Sequence, residues 1–213
     1  MRRVGVYVDY SNVYKGARDA FALRGTKGHR GNVNPVRLAE RLAAVSPTGD
    51  DRSATHTLAH TKVFRGAPDP VRDKHAALME AKRAHQWEQW GAQVYRHALD
   101  YAHGAVVEKG VDVRLAMTLL MDVLSGEVDV VVLMSADKDF RYALLQVRDA
   151  SAVEVEVASW KAIAGGRAVG RIRLRAERAW EPEVPCHLLD RHDFARLEDT
   201  VDYRMLPPPP GWA

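Results

Sequence analysis

Two hydrophobic rhythms take turns along this chain. Residues 128–134 (VDVVVLM) are almost wholly Val, Leu and Met, the pattern of a strand buried on both faces in the middle of a parallel sheet. Residues 3–8, 55–64 and 92–99 read as further strands. Residues 152–160 (AVEVEVASW) alternate apolar and polar positions, as an edge or near-edge strand with one covered face does, and CHLL at 186–189 reads as a last short strand. Helical spacing fills the gaps. Asn34 caps a helix with Pro35 at its first position, followed by Val36, Leu38, Ala39, Leu42 and Ala43. Residues 69–90 predict a long charged helix with Val71, His75, Leu78, Met79, Ala81, Trp87 and Trp90 on its apolar face, ended by Gly91. The tryptophan pair reads as core rather than as a base-stacking platform. VRLAMTLLMDVL after Asp112, the run opened by Phe140, and residues 191–197 complete the helices. Strand and helix in alternation predict an α/β fold, with residues 1–199 as one domain and 200–213 as a proline-rich, poorly ordered extended tail. No internal repeat interrupts the order.

Composition narrows the class. Of 213 residues, 46% are hydrophobic and 28% charged, the balance of an ordinary globular protein, and the formal charge is +3 with a pI near 9.0. That mild basic excess permits a polyanionic partner without demanding one. Cys186 is the single cysteine, so neither an intramolecular disulfide nor a cysteine-built zinc site is available, and a reducing cytoplasm is the expected setting. MRRVGVYVDYSN has too short an apolar run for a signal peptide, and no run approaches the length that spans a bilayer, so no membrane partner is expected.

The chemistry collects where strands end. Asp9, Ser11 and Asn12 follow the first strand; Ser135, Asp137 and Asp139 follow the apolar strand at 128–134; Asp112 follows Gly110 in the first turn of a helix. In open α/β sheets ligands bind outside the carboxyl ends of the strands, so these groups are expected to share one acidic pocket. Asp112 as a mere helix-terminal charge is the competing reading. Aspartates converging at close range repel one another, and a hard divalent ion with oxygen ligands, Mg²⁺ or Mn²⁺, relieves that repulsion better than zinc. Basic residues flank these segments. Arg24, Lys27 and Arg30 fall in a glycine-rich stretch at 15–33, read as partly helical and partly mobile loop at the mouth of the site, Lys109 precedes Gly110, and a basic insertion near 161–180 carries Arg167, Arg171 and Arg173. They either track a phosphate backbone, with binding that weakens as salt rises, or form solvated surface.

Taken in order, VYVDYSNVY, EKGVDVRLAMTLL and VVLMSADKDFRYAL resemble the NYN branch of the PIN-like ribonuclease superfamily over most of residues 1–160. Ala136 departs from the glycine common in the last motif. The resemblance implies a Rossmann-like (PIN-like) three-layer sandwich around a central, mainly parallel sheet, and a Mg²⁺- or Mn²⁺-dependent ribonuclease acting on RNA. It implies Asp9, Asp112, Asp137 and Asp139 as metal-binding and catalytic carboxylates, with Asn12 orienting a water or phosphate. Ser11 and Ser135 would support them. Single-stranded RNA is the expected substrate, because a flexible strand enters such a cleft more easily than a duplex; a homo-oligomer is left open. The competing function is an RNA-binding or scaffold module of the same shape without turnover. An aspartyl-phosphate phosphatase is disfavoured, because Ser11 stands where its second aspartate would be, and DYSNVYKG lacks the glycine spacing of a dinucleotide-binding turn.

Overall fold

The apolar runs assemble into one sheet. A computed structural model describes residues 1–26, 30–102, 106–167 and 184–212. Its strands are β1 (Arg2–Asp9), β2 (His56–Ala67), β3 (Ala92–Ala98), β4 (Val130–Met134), β5 (Glu154–Trp160) and β6 (Cys186–Leu189). They lie in the order β3-β2-β1-β4-β5-β6, and every pairing is parallel. The order reverses between β1 and β4, the switch point at which a doubly wound sheet opens a crevice. The helices are α1 (Tyr10–Ala20), α2 (Pro35–Ala44), α3 (Lys74–Gln89), α4 (Val111–Leu124), α5 (Arg141–Ala150) and α6 (Arg191–Leu197).

Alternation along the central strands builds two cores. Val4, Val6 and Val8 of β1, with Val130, Val132 and Met134 of β4, face residues of α1, α2, α3 and α6, among them Leu38, Trp87 and Phe194. Tyr7, Val131 and Leu133 point the other way, against Leu115 and Leu119 of α4 and Leu144 and Val147 of α5. This is the expected three-layer sandwich, with all six strands parallel.

Several local expectations are corrected. The helix after β1 begins at Tyr10, so the polar residues following Asp9 occupy its first turn, and it runs to Ala20 as the helical part of the glycine-rich stretch. On α3 the buried face is Ala77, Ala81, Ala84 and Trp87 together with Glu80 and Lys82; Val71 lies before the helix and is 92% exposed. Asp69 binds the N–H of Val71 in a turn, and Asp73 caps α3 by accepting from Ala76. On β5, which is near-edge as expected, Glu156 is not on a wet face. It is fully buried, in a fork with Arg52 at 2.6 and 2.9 Å and a hydrogen bond with His187 at 2.8 Å. The tail lies along the chain's own surface: Pro209, Pro210 and Trp212 line a pocket with Ala81, Ala84 and His85 of α3.

The α4 core encloses a polar knot. Asp122 accepts from the Lys62 ammonium through both oxygens at 2.7 Å and from the Tyr7 hydroxyl at 2.6 Å, while His60 approaches the same hydroxyl at 3.1 Å. Gly5 makes room for it, since a Cβ there would lie 2.8 Å from His60 Nε2 and 2.6 Å from Val128. Breaking one side of a buried ion pair strands the other charge. Asp122→Asn is therefore expected to lose about 3 kcal/mol of stability in urea denaturation, and Lys62→Met in the same chain to restore at least half of it.

Candidate active site

Register puts the ends of β1 and β4 side by side: Val8 pairs with Met134, so Asp9 and Ser135 emerge as neighbours. Three hydrogen bonds then lock the two turns together. The Ser135 hydroxyl donates to Asp9 Oδ2 at 2.9 Å, the Asn12 N–H donates to Asp9 Oδ1 at 3.2 Å, and the Ala136 N–H donates to Asn12 Oδ1 at 2.9 Å. Ser135 Oγ also accepts the N–H of Asp137 at 3.1 Å, and Asp137 in turn caps the short turn Lys138–Phe140 by accepting from Asp139 at 3.0 Å. Because a backbone N–H can only donate, the Asn12 amide must present its oxygen to Ala136, which leaves its NH₂ as a donor for the cleft.

A cavity of about 580 Å³ opens beside these turns, lined by Asp9, Ser11, Asn12, Asp112, Ala136 and Asp137. Gly110, with φ +77, turns the chain sharply into α4, whose first turn carries Asp112. No side-chain capping bond forms there, so Asp112 is not spent as a cap. Of the expected carboxylates the structure brings Asp9, Asp112 and Asp137 to one cavity. Asp139 is exposed and stands outside its lining, though near enough to raise the pKa of Asp112.

Glu108 is the residue that sequence reading passed over. It lines the same cavity, accepting from the Ser11 hydroxyl at 2.6 Å and from the Gly66 N–H at 2.8 Å. Its seat exists because position 66 is glycine: a Cβ there would stand 2.6 Å from Glu108 Oε1 and 2.3 Å from Leu99. The signal available was its place two residues before Gly110. Ser11 thus supports Glu108 rather than an aspartate, whereas Ser135 does hold Asp9. Lys15 and Asp19, one turn apart on α1, line the cavity as well.

The basic residues fare differently. Arg24 is paired with Asp19, Arg30 with Glu198 and Lys109 with Asp100, and none of the three lines the cavity. Arg167 is held near the rim, its N–H donating to Asp19 O at 2.8 Å. Lys27, Arg171 and Arg173 lie outside the described residues.

Crowding and burial set the electrostatics. Burial pushes Asp9 up to about 6; the hydrogen bonds from Asn12 and Ser135 pull it down, and Asp112 and Glu108 push it up further. Asp112 is raised by burial first, then by Asp137, Glu108 and Asp139. Such a donor set, all carboxylate oxygen with excess negative charge, suits a hard divalent cation. Among the described residues a tighter trio of ligand atoms, all within 4.8 Å, occurs at His60, Asp122 and Glu127. There Lys62 already supplies the cation through both Asp122 oxygens, and the knot lies on the α4 side of the sheet, its Tyr7 two residues before Asp9 on β1. In the knot Lys62 offsets Asp122; the strand-end cavity gathers Asp9, Glu108, Asp112 and Asp137 against Lys15 on its wall.

The family model described as NYN domain matches residues 3–168. No curated protein matches the chain. A crystal structure of a protein of unknown function from Vibrio parahaemolyticus is similar at 18% identity, covering 78% of this chain and 85% of that one with a TM-score of 0.47.

The raised pKa of Asp9 makes a stability prediction. A carboxyl whose folded pKa lies above its unfolded value stabilises the fold in its protonated form, below about pH 3.8, and that contribution is lost as pH rises to about 6. The size is about 3 kcal/mol. Asp9→Asn, which cannot ionise, is expected to escape the decline and, in metal-free buffer at pH 7, to unfold at higher urea than the parent chain.

Proposed function

The chain belongs to the NYN domain family, and from that membership we propose that it is a metal-dependent ribonuclease that hydrolyses phosphodiester bonds of single-stranded RNA in the strand-end cavity. NYN membership implies the PIN-like nuclease superfamily. The observation that carries the finer reading is the meeting of Asp9, Asp112 and Asp137, from three separate segments, in one cavity at the switch point of the sheet. A site built only to hold a polyanion has no use for such a concentration of negative charge.

The residues divide the work. Asp9, Asp112 and Asp137 would hold Mg²⁺ or Mn²⁺, with Glu108 and Asp139 within electrostatic reach. When bound, such an ion supplies Lewis acidity toward the scissile phosphate and a lowered pKa for water. Asn12, fixed through its oxygen, offers its NH₂ to a phosphate oxygen or to the attacking water. Lys15 on the cavity wall places a positive charge where an incoming phosphate group would pass. Ser135 holds Asp9 in the orientation that faces the cavity.

The test is cleavage of a labelled single-stranded RNA in Mn²⁺, Mg²⁺ or EDTA by the parent chain and by Asp137→Asn, which keeps the oxygen that caps the turn at Lys138. Metal-dependent cleavage by the parent and loss of it in the variant are expected. Salt-sensitive RNA binding with no cleavage under any condition would instead give first place to the binding module. Calorimetric titration with Mn²⁺ reads the site without turnover: Ser135→Ala is expected to weaken binding about 10- to 100-fold.

A further inference from the structure

The strand-end cavity is larger than a metal ion and one phosphate group require. Its volume of about 580 Å³ falls among sites of about 300–1,000 Å³ that enclose a whole small ligand. It runs between two walls of different chemistry. One is α1, whose Ser11, Lys15 and Asp19 recur every fourth residue and so share a face about 12 Å long. Asp9 caps the N-terminal end of that helix, which places the carboxylates at one end of the face and Asp19 at the other. The second wall is the connection from β3 to α4, which contributes Val106 and Val107. The walls meet where Ser11 donates to Glu108 at 2.6 Å.

Charge changes sign along α1. Beyond its acidic first end, Lys15 is exposed on the cavity wall. At the far end the Asp19 carboxyl is held below its ordinary range by the hydrogen bond from Arg24 and by the charges of Arg24, Arg167 and Arg18, so three cations surround one carboxylate. The turn after β5 is pressed against this end. The N–H of Ile163 donates to Ala20 O at 3.0 Å and that of Arg167 to Asp19 O at 2.8 Å, and a Cβ on Gly166 would lie 2.1 Å from Ala20 O. Arg167 is thereby fixed beside the outer end with its side chain exposed.

The opposite wall is apolar and just as firmly held. Val106 and Val107 are 62% and 43% exposed, yet Val107 exchanges both backbone hydrogen bonds with Asp100, at 2.8 and 2.9 Å, and Lys109 pairs with Asp100. A rigid apolar surface facing a line of positive charge suits a ligand that is anionic along one side and apolar along the other. A nucleotide within a single strand has that form, and grooves that hold single strands combine cations for the backbone with an apolar platform for the bases. Resting on the ribonuclease reading above, we propose that the outer part of the cavity is a nucleotide subsite: the phosphate next to the scissile one lies at Lys15 and Arg167, and the base of the intervening nucleotide packs on Val106 and Val107. Valine side chains carry no donor or acceptor, so this subsite demands a base without reading which base it is.

Fluorescence anisotropy of end-labelled single-stranded RNA tests this, with the parent chain in EDTA and with Asp137→Asn in Mn²⁺, so that no strand is cut. An intact strand is compared with one of equal length whose sugars carry no bases. Val106→Ser together with Val107→Ser, both at exposed side chains, is expected to weaken the intact strand about 10-fold and to leave the baseless strand unchanged. Lys15→Met is expected to weaken both strands alike and to lower the salt slope by about one. Valine substitutions that weaken neither strand, or both equally, overturn the proposal. Because binding is read without turnover, the subsite and the ribonuclease fail separately. A chain that cleaves RNA but binds both strands equally keeps the ribonuclease and loses the subsite; one that never cleaves yet prefers the intact strand through its valines keeps the subsite alone. Absence of RNA binding overturns both.

Discussion

A carboxylate at the end of a central strand is cut off from water by its neighbours and must be hydrogen-bonded, paired with a cation, or protonated. Asp9 is in that position, and the surrounding turns are arranged to hold it there. Parallel pairing of β1 with β4 delivers Ser135 to one oxygen, the first turn of α1 delivers the Asn12 N–H to the other, and Asn12 returns a bond to Ala136. Two crossover turns that share no sequence are thereby made one rigid unit. The lock is incomplete in one respect: it satisfies the lone pairs of Asp9 without supplying a positive charge, so Asp9 remains harder to ionise than an ordinary aspartate.

The contrast with Asp122 shows what that omission means. Both aspartates are buried beside the same sheet, yet Asp122 has Lys62 on both oxygens and hydroxyl support from Tyr7. Its charge is cancelled inside the protein, and its role is to fasten α4 to β2. The ionisable groups that act on Asp9, namely Asp112 and Glu108, carry the same sign. Folding that brings like charges together at a surface cavity costs stability, and proteins accept that cost where a ligand later compensates it. Proximity of ligand atoms alone would rank the His60–Asp122–Glu127 group first; charge balance ranks it last.

The strand-end aspartates were legible because their signal is local. An apolar run that stops abruptly at Asp9, or that gives way to Ser135 and Asp137, places those side chains at the carboxyl end of the strands whatever the rest of the chain does. Asp139 marks the limit of that local signal: the short turn at Lys138–Phe140 leaves it exposed outside the cavity lining, and adjacency in sequence does not report that rotation. Glu108 was missed because its place depends on Gly66, more than forty residues away, leaving room for a carboxylate. Glu156 looked like the wet face of an alternating strand because its partners, Arg52 and His187, arrive from distant segments. The apolar face of α3 was read from its largest side chains, yet the helix approaches the sheet through alanines, which a hydrophobicity pattern underweights.

Helix α4 draws these threads together, since three of its surfaces answer to different constraints. Its first turn, entered through the left-handed Gly110, carries Asp112 to the cavity and forgoes a side-chain cap. Its inner face packs on the sheet and is pinned by Asp122 near its last turn, so the position of Asp112 is fixed from the far end of the same rod. Its outer face is apolar where an ordinary surface helix would be charged. Packing and the cavity account for the first two surfaces; solubility alone would have selected polar residues for the third.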